Sequence, residues 1–349
     1  MTAPFTFSLP AELTAREPPE RRGLSRDGVR LLVLNRRSGK VEHARFHQLT
    51  GYLRPGDLLV FNSSRTIPAV LEGHTASTAN DVELRLAEHL PDDSWLALLR
   101  CRAVDDCGCG LEEGVRIDLE DGFSVVVGNR HDQIPRLWRL RFSVTGSTLI
   151  DYLYRLGRPV RYEYVAKPWG LDYYQTVYAS EPGSAEMPSA GRAFTWRMLL
   201  DLPKRGIETT RIVLHAGLSS YLDDEADACH AAAEEEYFIR EEAAQAINRA
   251  KKNGHRVIAV GTTVVRALES SIGPDGRVQA GHRYTSLRVT PAHRLRSVDG
   301  LLTGLHEPEA SHLDLLAAFV SPERIRQAYA QAVERRYLWH EFGDLNLII

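Results

Sequence analysis

The stretch EEEYFIREEAAQAINRAKKNGHRVIAV, Glu234 to Val260, decides the fold class. From Glu234 to Asn253, alanine, isoleucine and phenylalanine recur at helical spacing among charges. Gly254 supplies a stop, and Arg256-Val-Ile-Ala-Val260 reads as a buried strand. Helix, glycine stop and buried strand in succession predict an α/β domain. The same texture runs through the chain after residue 147. A helical pattern from Thr195 to Leu202 leads through Lys204-Arg-Gly206 into a strand, Thr209 to Leu214. Ser321 to Tyr337 reads as a late helix with Ser321 as N-cap and Pro322 in the first turn. Residues 273–282 read as a loop.

Working towards the N-terminus, Leu31-Leu-Val-Leu34 reads as a buried strand that turns at Asn35 to Gly39 into a second extended segment, Lys40 to Phe46. Pro55-Gly-Asp57 then turns the chain into the strand Leu58 to Phe61. Between residues 69 and 147 the texture is different. Five short alternating strands (Val82 to Leu86, Trp95 to Arg100, Val115 to Leu119, Phe123 to Val127, Leu137 to Phe142) are separated by Gly, Asp and Asn turns, the pattern of a small β-barrel or sandwich. The expected layout is a mixed α/β domain assembled from residues 1–68 and 148–349, with a β-barrel domain inserted at 69–147.

Composition narrows the function classes. The 349 residues are 43% hydrophobic and 26% charged, with a net charge of −3, which is an ordinary globular balance with ample core for two domains. No apolar run reaches membrane-spanning length, and Met1 to Pro10 lacks a signal-peptide pattern, so a cytoplasmic protein without a membrane partner, monomeric by preference, is expected. The slight acidity argues against a nucleic-acid coat protein but leaves room for a local basic patch. Cys101, Cys107, Cys109 and Cys229 make no disulfide framework, and reduced thiols with no metal site are expected.

Several blocks are more particular than packing requires. They are Leu9-Pro10-Ala-Glu12-Leu13-Thr-Ala15, Pro55-Gly-Asp-Leu-Leu-Val-Phe-Asn62 with Arg65 and Ile67-Pro68-Ala69, Tyr174-Gln-Thr-Val-Tyr178, Val257-Ile-Ala-Val-Gly-Thr-Thr263 with Arg266 and Leu268-Glu-Ser270, and Phe342-Gly-Asp344. In this order and spacing the chain resembles the S-adenosylmethionine:tRNA ribosyltransferase-isomerase family of queuosine biosynthesis, from about residue 8 onwards. The resemblance implies a large α/β domain with an inserted β-barrel. It also implies a reaction in which the ribosyl part of S-adenosylmethionine moves onto the aminomethyl group of a 7-deazaguanine at the tRNA wobble position. That reaction leaves an epoxycyclopentanediol and releases adenine and methionine. The partners implied are S-adenosylmethionine, as a ribosyl-donating substrate, and tRNA; no metal is implied.

Such chemistry needs a positioned base for a C5′ proton made acidic by the sulfonium, and support for the negative charge developing on the departing adenine. It needs a closely held, water-free sugar carbon and a wobble base drawn out of its stack. Against the family motifs this sequence departs in clusters. Pro-Thr-Ala-Gly-Leu-His-Phe reads Pro188-Ser189-Ala190-Gly191-Arg192-Ala193-Phe194, with Glu186 and Met187 just upstream. Leu-His-Val-Gly-x-Gly-Thr-Phe reads Leu214-His215-Ala216-Gly217-Leu218-Ser219-Ser220-Tyr221. His-x-x-His-x-Glu aligns with His230, Ala233 and Glu235. Thr-Asn-Phe-His-Leu-Pro reads Thr303-Gly304-Leu305-His306-Glu307-Pro308, and Ser-Tyr-Gly-Asp becomes Glu341-Phe342-Gly343-Asp344.

By that resemblance the catalytic candidates are His215, His306, His230 and Glu235; Glu186, a carboxylate on a loop beside Gly183-Ser184 and Pro188, is added as a replacement C5′ base where Ala193 stands for the family's histidine, if burial raises its pKa. The substrate-binding candidates are Pro188, Ser189, Gly191, Arg192, Phe194, Gly217, Tyr174, Gln175, Gly261, Thr262, Thr263 and Arg266. Gly261 to Thr263 follow a buried strand and offer backbone N–H and hydroxyl groups, and Arg266 follows as a partner for a carboxylate or phosphate. The segment from Arg283 through Arg288 to Arg294 and Arg296 carries four arginines and no acid, and is the expected tRNA backbone contact. A paralogous enzyme acting on a non-tRNA acceptor, and a non-catalytic binding protein on the same fold, are the alternatives.

Overall fold

The computed structural model describes residues 7–76, 80–101, 111–162, 164–220, 234–308 and 310–349. Its strands are β1 (Arg30–Leu34), β2 (Val41–Arg45), β3 (Leu58–Asn62), β4 (Ser64–Thr66), β5 (Val70–Thr75), β6 (Asp81–His89), β7 (Trp95–Cys101), β8 (Arg116–Leu119) and β9 (Ser124–Arg130). They continue as β10 (Leu137–Phe142), β11 (Glu181–Ser184), β12 (Glu208–Leu214), β13 (Glu235–Ile239), β14 (Val257–Val260), β15 (Gly281–Thr285), β16 (Gly300–Gly304) and β17 (Leu345–Ile348).

Nine of these form one mixed sheet in the order β15-β13-β12-β3-β14-β16-β17-β1-β2, with β12, β3, β14 and β16 running parallel at its centre. Every residue of β3 and β14 is buried, as strands covered on both faces require. Alternate side chains then build two cores. Leu58, Val60, Val257 and Ala259 pack with Ile247 and Val264 from the helices Glu241–Lys252 and Thr262–Ser270. Leu59, Phe61, Ile258 and Val260 pack on the other face with Phe46, Phe194 and Met198.

Strands β5 to β10 close into a six-stranded barrel in the order β10-β7-β6-β5-β8-β9, with its own core of Leu84, Leu98, Ile117, Val125 and Leu140. Gly73 lets β5 and β8 approach: a Cβ there would lie 2.8 Å from the Asp118 carbonyl oxygen. The mixed α/β class and the barrel read from the sequence are both present, with Val70–Thr75 adding a sixth barrel strand that the turn pattern did not reveal.

Three local readings are corrected. The helical segment expected from Glu234 is a strand followed by a helix. Tyr237 and Ile239 are buried while Phe238 is exposed, a period of two, and Arg240 is extended before the helix Glu241–Lys252 begins. The chain end, read only as a motif, supplies β17, which pairs with β16 and β1 and so ties the N-terminal strand pair into the sheet. Cys101 is disulfide-bonded instead of a reduced thiol, and Cys107, Cys109 and Cys229 lie outside the described residues. Among the described residues no helix is long and apolar enough to cross a membrane.

Removing a side chain from the middle of the sheet should cost far more than removing an exposed one. Leu302→Ala (Leu302 is fully buried in β16) is expected to lose about 2–5 kcal/mol in urea unfolding, whereas Leu200→Ala, 66% exposed, should stay within about 0.5 kcal/mol of the parent.

Candidate functional site

In an open α/β sheet, ligands bind beyond the carboxyl ends of the parallel strands. Here that edge gathers the residues following β3, β12, β14 and β16, and its hydrogen bonding starts from Asn62. The Asn62 amide, 1% exposed, donates to the Leu214 carbonyl oxygen (2.8 Å) and to Thr263 Oγ1 (3.2 Å), and its Oδ1 accepts from Leu214 N and Ser64 N (3.0 Å each). One side chain therefore joins the ends of β3 and β12 to the start of the helix Thr262–Ser270.

Beyond it, Ser64 Oγ lies 2.7 Å from His215 Nδ1 and 2.6 Å from Ser184 Oγ, which accepts from Ala216 N at 2.9 Å. Ser64 and Ser184 come from β4 and β11, two short strands that pair with one another. A Cβ on Gly183 would fall 2.4 Å from His215 Nδ1, so only glycine leaves room for the ring. Burial depresses the His215 pKa, with the Glu236 carboxylate opposing, so His215 is neutral at neutral pH. The ring borders a cavity of about 120 Å³ lined also by Val213, Glu236, Tyr237, Phe238 and His282.

Gly261, at φ +100°, turns β14 into its helix, and its Cα side faces Ala190, where a Cβ would sit 3.7 Å away. The turn Ser189–Gly191, which Pro188 precedes, thus lies over Gly261 and the helix start at Thr262 and Thr263, whereas Gly217, two residues beyond His215, faces the barrel, where a Cβ would lie 3.1 Å from the Ala87 carbonyl oxygen. At the end of β16, His306 Nε2 meets Thr303 Oγ1 at 2.9 Å, and its ring stacks on His312 with centroids 4.6 Å apart. Burial, reinforced by His312 and His340, holds His306 well below the usual histidine range.

Other expected site residues are committed to protein partners. Arg192, 3% exposed, donates to Glu20 Oε2 and to the Tyr173 carbonyl oxygen (2.8 Å each) and lies 5.2 Å over the Phe342 ring. Arg266 pairs with Glu235 and also donates to the Leu287 carbonyl oxygen. Phe194 packs edge-on against Phe46 and Phe61 in the core. Tyr174 packs on Phe342, and burial pushes its hydroxyl up to about 12; Gln175 bonds both backbone polar groups of Thr66. His230 lies outside the described residues. Arg283, Arg288, Arg294 and Arg296 are all exposed. Arg288 pairs with Asp314, while Arg294 and Arg296 have no ion pair among the described residues.

Glu186 accepts from Ser219 N (2.8 Å), Ser219 Oγ (3.0 Å) and Tyr162 Oη (3.2 Å), so both oxygens are engaged. A carboxyl with a raised pKa lies close by, Glu341. Burial pushes it up to about 7, and its Oε2 is sealed from solvent with no hydrogen-bond partner among the described residues. It lies beside Tyr162, and next to it in sequence His340 stacks on Tyr164 (4.2 Å) and bonds Glu307 through Nε2 (3.2 Å). Sequence reasoning did not propose Asn62, Ser64, Ser184, His340 or Glu341 as site residues. On the barrel side, Glu88 faces Glu234, Glu235 and Glu236, and burial raises it to about 8. Among the described residues no group of three or more His, Cys, Asp or Glu is placed to hold a metal ion.

Comparison with known proteins gives a consistent result. Residues 2–348 match the family model described as queuosine biosynthesis protein. The S-adenosylmethionine:tRNA ribosyltransferase-isomerase of Heliobacterium modesticaldum is 39% identical, the match covering 99% of this chain and 98% of that protein. The enzyme of the same name from Moorella thermoacetica is 38% identical over the same shares. Among solved structures, S-adenosylmethionine tRNA ribosyltransferase from Thermotoga maritima matches with a TM-score of 0.55 and 29% identity, covering 99% of each chain.

The raised pKa of Glu341 makes stability depend on pH in a definite direction. In the unfolded chain the carboxyl ionises near 4.5, whereas in the folded protein it ionises near 7, so its contribution is full below about pH 4.5 and is lost as pH rises to about 7. Glu341→Gln should therefore leave stability near its parent value at pH 4.5 and raise it by about 1–3 kcal/mol at pH 8. Parallel stability profiles for the two proteins in urea would refute the assignment.

Proposed function

The chain belongs to the queuosine biosynthesis protein family, and from that membership and the geometry above we propose that it transfers and isomerises the ribosyl part of S-adenosylmethionine onto 7-aminomethyl-7-deazaguanine at the tRNA wobble position. The observation that carries this reading is the match to S-adenosylmethionine:tRNA ribosyltransferase-isomerases over 99% of this chain and 98% of each of those relatives. The carboxyl edge of the sheet supports it, since two neutral histidines, a glycine turn with a helix start and a row of buried hydroxyls converge there.

In this reading S-adenosylmethionine lies across the ends of β3, β12 and β14. Gly261, Thr262 and Thr263 hold its polar end through N–H groups at the start of their helix. The turn Pro188 to Gly191 closes over it and excludes water. His215 faces the nucleoside, and His306, kept neutral by burial, faces the other side of the crevice. Glu186, already holding Ser219 and Tyr162, fixes the loop after His215 and so shapes the acceptor side. Arg192 and the Arg266–Glu235 pair hold the walls of the site instead of touching substrate. Arg294 and Arg296, exposed and without ion pairs among the described residues, contact the tRNA backbone.

Adenine and methionine release from S-adenosylmethionine, followed by chromatography with mass detection, tests the reaction. Release is expected only with tRNA carrying 7-aminomethyl-7-deazaguanine, with a new wobble nucleoside in the digest. Release without tRNA would transfer the assignment to a non-tRNA acceptor, and no release in either case would leave a binding protein. The partner surface has its own test. Arg294→Ala with Arg296→Ala should weaken tRNA binding and make the plot of log affinity against log salt shallower by roughly 0.7–0.9 for each phosphate that is no longer neutralised. An unchanged slope would place the tRNA backbone elsewhere.

A further inference from the structure

The hydroxyl chain behind His215 has only one direction in which every buried hydrogen finds an acceptor. Ser184 Oγ already accepts from the Ala216 N–H (2.9 Å), and its one other partner among the described residues is Ser64 Oγ (2.6 Å). Ser184 is fully buried, so its own hydrogen must point at Ser64. Ser64 then has one acceptor left for its hydrogen, His215 Nδ1 at 2.7 Å. Run the other way, with His215 donating from Nδ1, Ser184 would accept twice and bury a hydroxyl hydrogen with no acceptor. The lone pair of His215 is thus tied to Ser64, and in the neutral ring the proton sits on Nε2, which has no partner among the described residues. Gly183 presses its backbone against the Nδ1 edge, where no side chain would fit, and so fixes the ring plane.

We propose that Ser64 and Ser184 are positioning residues that hold His215 as the neutral Nε2–H tautomer, so that His215 serves the reaction as a hydrogen-bond donor to the departing purine and not as the base that removes the C5′ proton. No proton leaves His215: the Nε2–H supports the electron pair that the purine nitrogen takes as its bond to the sugar breaks. The role in purine departure rests on the function proposed above, whereas the tautomer rests only on the hydrogen bonds.

The test uses the full chain labelled with ¹⁵N-histidine. Two-bond ¹H–¹⁵N correlations at neutral pH report which ring nitrogen is protonated, and His215→Gln identifies the His215 signals by their disappearance. The expected spectrum has a protonated Nε2 and a bare Nδ1. In Ser64→Ala, an isosteric change apart from the hydroxyl, the single tautomer should give way to a mixture. The kcat for adenine release should fall roughly 10- to 100-fold, less than the ~100- to 1000-fold lost when such a donor is removed outright, with KM for S-adenosylmethionine little changed. Ser184→Ala should act in the same direction. A protonated Nδ1 in the parent protein, or an unchanged tautomer in Ser64→Ala, overturns the proposal. If the parent spectrum is as expected but no adenine is released, the tautomer stands and the proposed reaction fails.

Discussion

Asn62 stands where β3 stops pairing with β12, and its side chain replaces the missing backbone partners. It bonds Leu214 on both N and O, reaches Thr263 across the sheet, and orients Ser64 through that residue's N–H. A buried amide without these partners would be costly, so the arrangement is all or none. Because Asn62 is satisfied, the chain leaves β3 in a fixed direction, β4 meets β11, and Ser64 comes to rest between Ser184 and His215. The geometry of the carboxyl edge follows from that one residue.

A second polar group lies away from Asn62, and it gathers residues from several of the blocks that the sequence reading singled out. Ser219 donates through N–H and hydroxyl to Glu186, Arg192 lies over Phe342, Glu307 bonds His340, and Glu341 adjoins Tyr162, which donates to Glu186. These residues are bonded or packed to one another and not scattered. A carboxylate and its donor, or a guanidinium and its ring, are stable only together, since either alone would leave a half-buried polar group unmatched. The contacts describe a wall with its own internal hydrogen bonding.

What was legible in the sequence was what local pattern encodes. The unbroken apolar runs of β3 and β14 marked the sheet centre, the alternating strands from Val82 onwards marked the barrel, and Gly261 after a buried strand marked a turn into a helix. Strand β13 was misread because Glu234 to Asn253 carries apolar residues compatible with both periods, and only pairing with β12 and β15 settles it. The site was less legible because its parts are joined by tertiary contacts. Ser64 and Ser184 are 120 residues apart and neither carries a motif; β4 and β11 bring them together. A sequence displays charges without their partners, so Arg192 and Arg266 read as ligand groups although Glu20 and Glu235 occupy them. The Tyr174 to Tyr178 block is distinctive for structural reasons: Gln175 clamps Thr66, and the Tyr178 hydroxyl lies where a Cβ on Gly191 would be, 1.8 Å away.

The central claim is that the carboxyl edge around Asn62, Ser64 and His215 is where S-adenosylmethionine binds, and hydrogen exchange read by mass spectrometry tests it most directly. Adding S-adenosylmethionine to the full chain should slow exchange in peptides covering residues 62–66, 183–191, 214–219 and 261–263 and leave the barrel strands β8 and β9 unchanged. Protection confined to the barrel, or to the edge strand β15, would contradict the account.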